Sequence, residues 1–406
     1  MSPSSSARLS GPFRVSSFHC HMEVVFWISV LLLFYVYLGY GLLLSLLSRF
    51  SKQSPLSPPD LTLPVTLVVP AYNEEAFIEK KIQNCLSLSY PKHALTLLFI
   101  SDGSTDNTAR LLAANPAVTH LHQPERKGKT AALNRAMQVV STPFVVFSDA
   151  NALLHPDSIQ NLLRHYSDPK VGGVSGEKRI AAPGHSAVGT GERLYWQYES
   201  MLKKADASFY TVIGAAGELF SIRSHLFAPL EENIILDDFV LSARICQKGY
   251  RFAYDSDAYA TEGPSETIAA ERERKIRISA GCFQALVLLK NFLNPFHNGR
   301  LMFQYISHKV LRWTLCPLLV PVLFVANAVL AAKGEGLVYI TLFALQCCFY
   351  AFALLGWLFS GKRGFPKAFL IPYYFVFMNL SLYIGFGRFL TGRQSAVWKR
   401  SARAVQ

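Results

Sequence analysis

The chain has 406 residues, is 51% hydrophobic and carries a formal net charge of +13. That length and apolar content hold a cored domain plus further apolar segments. The basic excess reads as the positive-inside bias of a membrane protein, not as a nucleic-acid surface. The seven cysteines (Cys20, Cys85, Cys246, Cys282, Cys316, Cys347 and Cys348) contain no Cys-x-x-Cys pair, and several lie in apolar runs, so neither a disulfide framework nor a zinc site is expected.

The Ser-rich start, residues 1–22, reads as disordered. Residues 24–47 carry no charge and are long enough to cross a bilayer core of about 30 Å. They place a first transmembrane helix at 23–50, uncleaved, being too long and too aromatic for a signal peptide. A globular domain follows at 62–285. "LPVTLVVPAYNEE" is a buried strand ended by Pro70, and Ile78, Ile82 and Leu86 then recur at helical spacing. "ALTLLFISDGSTDNT" is a second strand with Asp102 at its end, and "AVTHLHQ" a weaker third. "KTAALNRAMQVV" is a helix, "PFVVFSDAN" a fourth strand ending at Asp149, and "HPDSIQNLLRHY" another helix. Alternation of strands and helices argues for an α/β domain with a mostly parallel sheet, whose ligands bind past the C-terminal strand ends. Asn73, Glu74, Asp102, Asp149 and Asn151 cluster there. "DDFVLSARICQKG" reads as a helix that starts at Asp237 and stops at Gly249.

Residues 286–310 read as interfacial amphipathic helices, and 311–391 as C-terminal transmembrane helices with spans near Leu315–Ala332, Leu337–Ser360 and Ala368–Phe386. A basic tail occupies 392–406, with Arg393, Lys399, Arg400 and Arg403. Lys and Arg place both the central domain and this tail in the cytosol, at a cell or inner membrane. Four full crossings would separate the two. One span is therefore re-entrant or miscounted, or the charge rule fails here.

Two nucleotide-binding loops are excluded. The first strand runs into "PAYNEE", where a dinucleotide fold needs glycines, and "QPERKGKT" has Gln123 where a phosphate loop needs its first glycine. Yet "VVPAYNEE", "ISDGSTDNT", "KGKTAALN", "FSDAN", "GAAGELFSIR", "LDDF" and "RKIRISAG" follow one another in the order found in glycosyltransferase family 2. The chain resembles the membrane-bound, polysaccharide synthase-like branch of that family over roughly residues 64–285. The resemblance implies a GT-A fold, a Rossmann-like, mostly parallel sheet, in a cytosolic domain flanked by transmembrane helices.

It also implies roles. Ala71, Tyr72, Glu74 and Asp102 match the clamp for base and ribose, and a carboxylate that accepts from a uracil imide favours a UDP-sugar. Lys129 matches a basic residue near the donor phosphates, at a helix start that also favours anions. Asp149 and Asn151 stand where the family has Asp-x-Asp for Mg²⁺ or Mn²⁺; here an amide replaces the second carboxylate, which weakens the expected metal affinity. Neighbouring helix residues point about 100° apart, so Asp237 is read as support or cap and Asp238 as the general base that takes the acceptor's proton. The like charge beside Asp238 should raise its pKa. Arg277 matches the arginine of Gln-x-x-Arg-Trp, whereas Arg274 replaces its Gln and Ile278 its Trp, which puts processivity in doubt. Both arginines could neutralise the departing diphosphate. Trp196 and Tyr198, with Gly214 and Ala215 of "IGAAGELF", are read on the acceptor side.

The expected activity is inverting transfer from a UDP-sugar to a growing extracellular polysaccharide at the lipid bilayer. Non-processive transfer to a polyprenyl-phosphate or glycolipid acceptor is the nearest alternative, and a non-catalytic nucleotide-sugar-binding scaffold the alternative of another class. Export or accessory proteins remain open as partners.

Overall fold

A computed structural model describes residues 13–50, 58, 60, 62–181, 187–265, 267–296, 298–359 and 366–395. Eight strands, β1 (Val65–Ala71), β2 (Leu95–Asp102), β3 (Thr119–Gln123), β4 (Phe144–Phe147), β5 (Ala152–Leu154), β6 (Val171–Ile180), β7 (Phe220–Arg223) and β8 (Arg251–Glu262), form one sheet in the order β3-β2-β1-β4-β7-β6-β8-β5. β1 lies parallel to β2 and β4, β2 to β3, and β6 to β8; β7 runs antiparallel to β4 and β6 and β5 to β8. The crossovers of the parallel half are α3 (Glu75–Leu86), α4 (Thr108–Ala113) and α5 (Lys129–Val139), after two N-terminal helices, α1 (Phe13–Phe34) and α2 (Tyr40–Leu47). Then come α6 (Ser158–Leu163), α7 (Ala187–Phe209), α8 (Asp237–Gln247), α9 (Ile268–Leu288), α10 (Gly299–Tyr305), α11 (Leu311–Trp313), α12 (Leu315–Ala332), α13 (Leu337–Phe359) and α14 (Lys367–Leu390).

Strand side chains alternate between faces, and the sheet therefore has two cores. Leu67 and Val69 of β1, Leu97 and Phe99 of β2 and Val146 of β4 pack with α3 residues Ile78 and Ile82. Val68, Leu98, Ile100, Val145 and Phe147 pack on the other face with Ala132 and Ala136 of α5 and Val240 and Leu241 of α8. Runs of apolar residues without a polar alternate, such as "LVV" in β1, are what burial on both faces requires.

Among the described residues, four helices are long and apolar enough to cross a membrane: His21–Phe50, Leu315–Ala332, Leu337–Phe359 and Ala368–Leu390. Ser360, the last residue of one expected span, and tail residues 396–406 lie outside the described residues. The 1–22 segment is not wholly irregular. α1 already starts at Phe13, because extending a formed helix costs far less than starting one. Residues 1–12 lie outside the described residues. Within 286–310, α9 ends and α10 leads into a π-helical turn (Ile306–Val310) whose Ser307, His308 and Lys309 are buried. A second π-helical turn (Tyr35–Gly39) joins α1 to α2, and the two meet where Tyr35 Oη and Ser307 Oγ are 2.7 Å apart.

Candidate active site

The ends of β1, β2 and β4 open into one cavity of about 1350 Å³. Ala71, Tyr72, Glu74, Asp102, Lys129, Asp149, Asn151, Trp196, Gly214, Ala215, Asp237, Asp238, Arg274 and Arg277 all line it. Residues spread along nearly the whole globular domain, from 71 to 277, therefore share one space, because parallel strands deliver their C-terminal ends to one rim.

At the β2 end Asp102 is buried and holds the next loop in place. Its Oδ2 accepts the backbone N–H of Lys127 (3.1 Å) and Gly128 (2.6 Å), and its Oδ1 accepts from Arg135 Nη2 (3.0 Å). A carboxylate has about four acceptor positions, so a further donor from a base can still be met. The loop it fastens sets Arg126 over the Tyr72 ring, 3.5 Å from the centroid. Gly103, at φ 65°, allows this approach: a Cβ there would lie 2.6 Å from Arg126 backbone atoms. Glu74 donates its backbone N–H to Thr108 Oγ1 at 2.8 Å, so the β1 loop is tied to the start of α4.

Lys129 opens α5 after Gly128, whose φ is 98°. Its Nζ donates to Asp149 Oδ1 at 2.8 Å and lies 3.6 Å from Asp237 Oδ2. Burial alone would discharge this ammonium, but Asp149, Asp237 and Asp238 together push its pKa up. Asp149 goes up as well: burial, Glu218 and Glu262 outweigh Lys129. Asn151 does not sit beside a second metal-binding carboxylate; its Nδ2 donates to Glu262 Oε1 at 2.9 Å. Among the described residues no group of three or more His, Cys, Asp or Glu could hold a metal ion. Asp149 and the Asn151 carbonyl thus fit a hard cation only where diphosphate oxygens complete its shell.

α8 brings both acids to the cavity from its first turn. Leu236 occupies the N-cap and forms no side-chain bond, so neither aspartate acts as the cap residue; Asp238 Oδ1 instead accepts the Phe239 N–H at 2.8 Å. Asp237 is buried against Lys129. Asp238 is pushed up to about 7, first by burial and next by Asp237, with Lys129 opposing. Burial thus outweighs the neighbouring like charge as the cause. The Gly217 backbone passes so close that a Cβ there would meet Asp238 Oδ2 at 2.9 Å and Lys129 Nζ at 3.5 Å. Gly214, at φ 96°, leaves no room for a Cβ beside the Phe239 ring (2.4 Å), and Ala215 N–H donates to Ser242 Oγ at 3.0 Å.

The two arginines of "RKIRI" differ. Arg274 lies among acids, 3.4 Å from Glu192, 3.6 Å from Glu271 and 3.8 Å from Glu218. Arg277 has its pKa lowered to about 10 by burial and by Arg274, and Asp237, Asp238 and Asp149 pull it back up. Of the pair, it is Arg277 that is coupled to the donor-side acids. Trp196 meets Lys178 Nζ 4.9 Å from its ring centroid.

Sequence reasoning missed several groups. Glu218 is buried in the cavity wall and paired with Lys178, which also holds Glu262. Against the cost of burial, Lys178 and Arg274 hold Glu218 well below the usual carboxylate range. An acid inside the apolar frame "GAAGELF" was a signal of the same kind as "LDDF". Lys178 and Arg126 gave no such signal, since their partners come from distant strands.

Residues 66–228 match the family model described as Glycosyl transferase family 2. The poly-beta-1,6-N-acetyl-D-glucosamine synthase of Staphylococcus aureus (strain COL) is 27% identical over 301 residues, 68% of this chain and 71% of the relative. The synthase of the same name from Staphylococcus epidermidis is 24% identical over 247 residues, 58% of each chain. Among solved structures, the mannosyltransferase PcManGT from Pyrobaculum calidifontis, in complex with GDP-Man and Mn²⁺, has a TM-score of 0.70 at 24% identity, covering 92% of this chain and 99% of that chain. The architecture is thus of the expected GT-A type, an α/β domain accompanied by apolar helices.

Proposed function

From the match of residues 66–228 to Glycosyl transferase family 2, we propose that the chain transfers a sugar, with inversion, from a UDP-sugar to a growing extracellular polysaccharide. The observation that carries this reading is that Asp102, Asp149 and Asp238 line one cavity in which burial, with Asp237 beside it, pushes Asp238 up to about 7. Similarity to poly-beta-1,6-N-acetyl-D-glucosamine synthases supports a polysaccharide product. The Lys and Arg content of the central domain supports a cytosolic catalytic side.

In this reading Tyr72, whose ring is stacked on Arg126, lies against the base, and Asp102 accepts from its imide. Asp149 and Asn151 would hold Mg²⁺ or Mn²⁺ on the donor diphosphate; when bound, the cation supplies positive charge to the leaving group. Lys129 and Arg277 add fixed positive charge on the same side. Asp238 takes the proton of the acceptor hydroxyl as that oxygen attacks the anomeric carbon, and the nucleoside diphosphate leaves from the opposite face. A base with a pKa near the working pH is both ionised and basic enough for this step. Asp237 holds Lys129 and raises Asp238.

The test is a panel of UDP- and GDP-sugars offered to the full chain in nanodiscs, with nucleotide release and product length recorded. Release from a UDP-sugar with a polymeric product is expected. A single-addition product would favour the lipid-acceptor alternative, and release from GDP-sugars alone would overturn the choice of nucleotide.

A further inference from the structure

A buried cation that the mechanism does not use lies behind the turn of Asp149 and Asn151. Helix α3 buries the stripe Ile78, Lys81, Ile82 and Cys85, and Lys81 stands where that apolar stripe calls for a hydrocarbon. Its side chain is fully buried and does not line the cavity. A lysine with no exposed surface is costly unless its ammonium is met. Here the turn meets it. Lys81 Nζ donates to Ser148 Oγ at 2.7 Å, just before the turn, and to the Ala152 carbonyl at 2.5 Å, just after it. On the same helix Asn84 Nδ2 donates to the Leu154 carbonyl and Asn84 Oδ1 accepts the Leu154 N–H, both at 2.8 Å. One helix thus grips residues 148–154 from behind, while Asp149 and Asn151 line the cavity in front.

The grip continues past the turn. An ammonium only donates, so Ser148 Oγ accepts from Lys81 and gives its own proton to the Glu218 carbonyl at 3.0 Å. Glu218 follows Gly217, whose backbone lies against Asp238 and Lys129. Beyond the turn, Ala152 pairs with Glu262 across β5 and β8, and the same glutamate accepts from Asn151 Nδ2 at 2.9 Å. Lys81 therefore sits where three segments meet: the residue before Asp149, the strand after Asn151 and the loop beside Asp238. Burial pulls its pKa down, while Cys85 and Asp149 pull it back up, so its charge is coupled to that of the turn.

We propose that Lys81 is a positioning residue for the transfer. By tying Ser148 to Ala152 it holds Asp149 and Asn151 in the arrangement that a divalent cation on the donor diphosphate needs. Through Ser148 it also fixes that turn relative to the loop beside Asp238. It touches neither donor nor acceptor. This assignment rests on the proposed transfer and deepens it on the cation side. The residue at 151 is an amide and brings no charge, so the hold on a cation depends the more on where its oxygen and the Asp149 carboxylate sit. A hydrocarbon at position 81 would pack as well but would tie neither end of the turn.

The test reads Mn²⁺ binding directly, from the electron paramagnetic resonance of the free ion. The full chain is held in phosphatidylcholine nanodiscs with UDP and, in parallel, with GDP; empty discs are the blank. Lys81→Met should weaken Mn²⁺ binding roughly ten- to a hundredfold, the usual loss when a group that holds a metal ligand in place is removed. Nucleotide binding in excess EDTA should not change, whereas general damage to the site would lower both. Ser148→Ala, a small change of volume, removes the shared hydroxyl and should weaken Mn²⁺ binding by less. The two act through one chain of hydrogen bonds, so the double variant should bind Mn²⁺ no more weakly than Lys81→Met alone. Wild-type Mn²⁺ affinity in Lys81→Met, an equal loss of nucleotide binding in EDTA, or factors that multiply in the double variant would each overturn the assignment. If Lys81→Met does not fold, Ser148→Ala decides, and an unchanged Mn²⁺ affinity there overturns it. Nucleotide release from UDP-sugar on the same preparations separates the two claims. No release by the wild type, with Mn²⁺ binding still dependent on Lys81, sinks the transfer reading and supports the grip on the turn. Release by the wild type, with Mn²⁺ binding indifferent to Lys81, sinks only the role of Lys81.

Discussion

The position of the acid limb of the pH profile is the sharpest consequence of the site. Asp238 is pushed up to about 7 by burial first and Asp237 second, while Lys129 pulls it down. The proposed base works only when ionised, so activity is expected to fall as pH drops through that value. One pH unit below about 7 leaves roughly one-tenth of the carboxyl ionised, and one unit above leaves nearly all of it. Turnover per donor, kcat/KM, should then be about tenfold lower at pH 6 than at pH 8. Two substitutions should move the limb in opposite directions. Asp237→Asn removes the second-largest raising cause and shifts the limb to lower pH, though not to the value of a free aspartate, because burial remains. Lys129→Gln removes the opposing charge and shifts it upward. Asp238→Asn should lower turnover by roughly 10²–10⁴, the range for loss of a general base. The assay is nucleotide release from UDP-sugar in nanodiscs between pH 5.5 and 8.5, with donor binding followed separately so that limb position is read apart from affinity. A wild-type profile flat across that range would refute the assignment, as would Asp237→Asn shifting the limb upward.

Other outcomes follow from the same geometry. Because its raised pKa penalises the folded state, Asp238 costs nothing while protonated in both states and costs progressively more as pH rises from about 4 through about 7. Asp238→Asn should therefore melt higher than wild type at pH 8, with the gap closing toward pH 4. Gly217→Ala puts a Cβ 2.9 Å from Asp238 Oδ2; the carboxylate must move, and a shift near 1 Å predicts a loss in kcat on the order of 10² with little change in Tm. Gly214→Ala pairs a left-handed φ of 96° with a Cβ 2.4 Å from the Phe239 ring, so it should destabilise the fold by about 1–3 kcal/mol, read by thermal unfolding. Asn151→Asp gives the cation a second carboxylate but faces Glu262, the acceptor of the Asn151 amide at 2.9 Å. It should lower the Mn²⁺ needed for half-maximal release and lower Tm in excess EDTA, a loss Mn²⁺ restores; an unchanged Mn²⁺ requirement would remove residue 151 from cation binding.

Much of the fold was legible because its signals are local. The β-branched runs of β1, β2 and β4, the helical spacing of Ile78 and Ile82 and the start and stop of α8 each depend on a few adjacent residues. The late half of the sheet was not. β6, β7 and β8 gain their identity from pairing with one another, with β7 antiparallel between β4 and β6, and register between distant strands leaves little trace in any one of them. The start of α1 was missed for a related reason: composition argued for irregular chain, whereas an adjoining apolar helix carries its neighbours along.

At the site, motif order identified which residues share the cavity but not which of them are available. Asp102 and Arg274 show the difference. Both sit where a ligand contact was expected, yet Asp102 also carries a loop and a guanidinium, and Arg274 is ringed by three carboxylates. Lys203 is the converse: an ordinary lysine in an amphipathic helix by sequence, but buried and without a counter-charge once Glu199 is divided between Lys309 and Arg312. Charge balance is a property of the assembled cavity. A residue whose charge is met by the protein serves as scaffold, and one whose charge is left over marks where a substrate of opposite sign belongs.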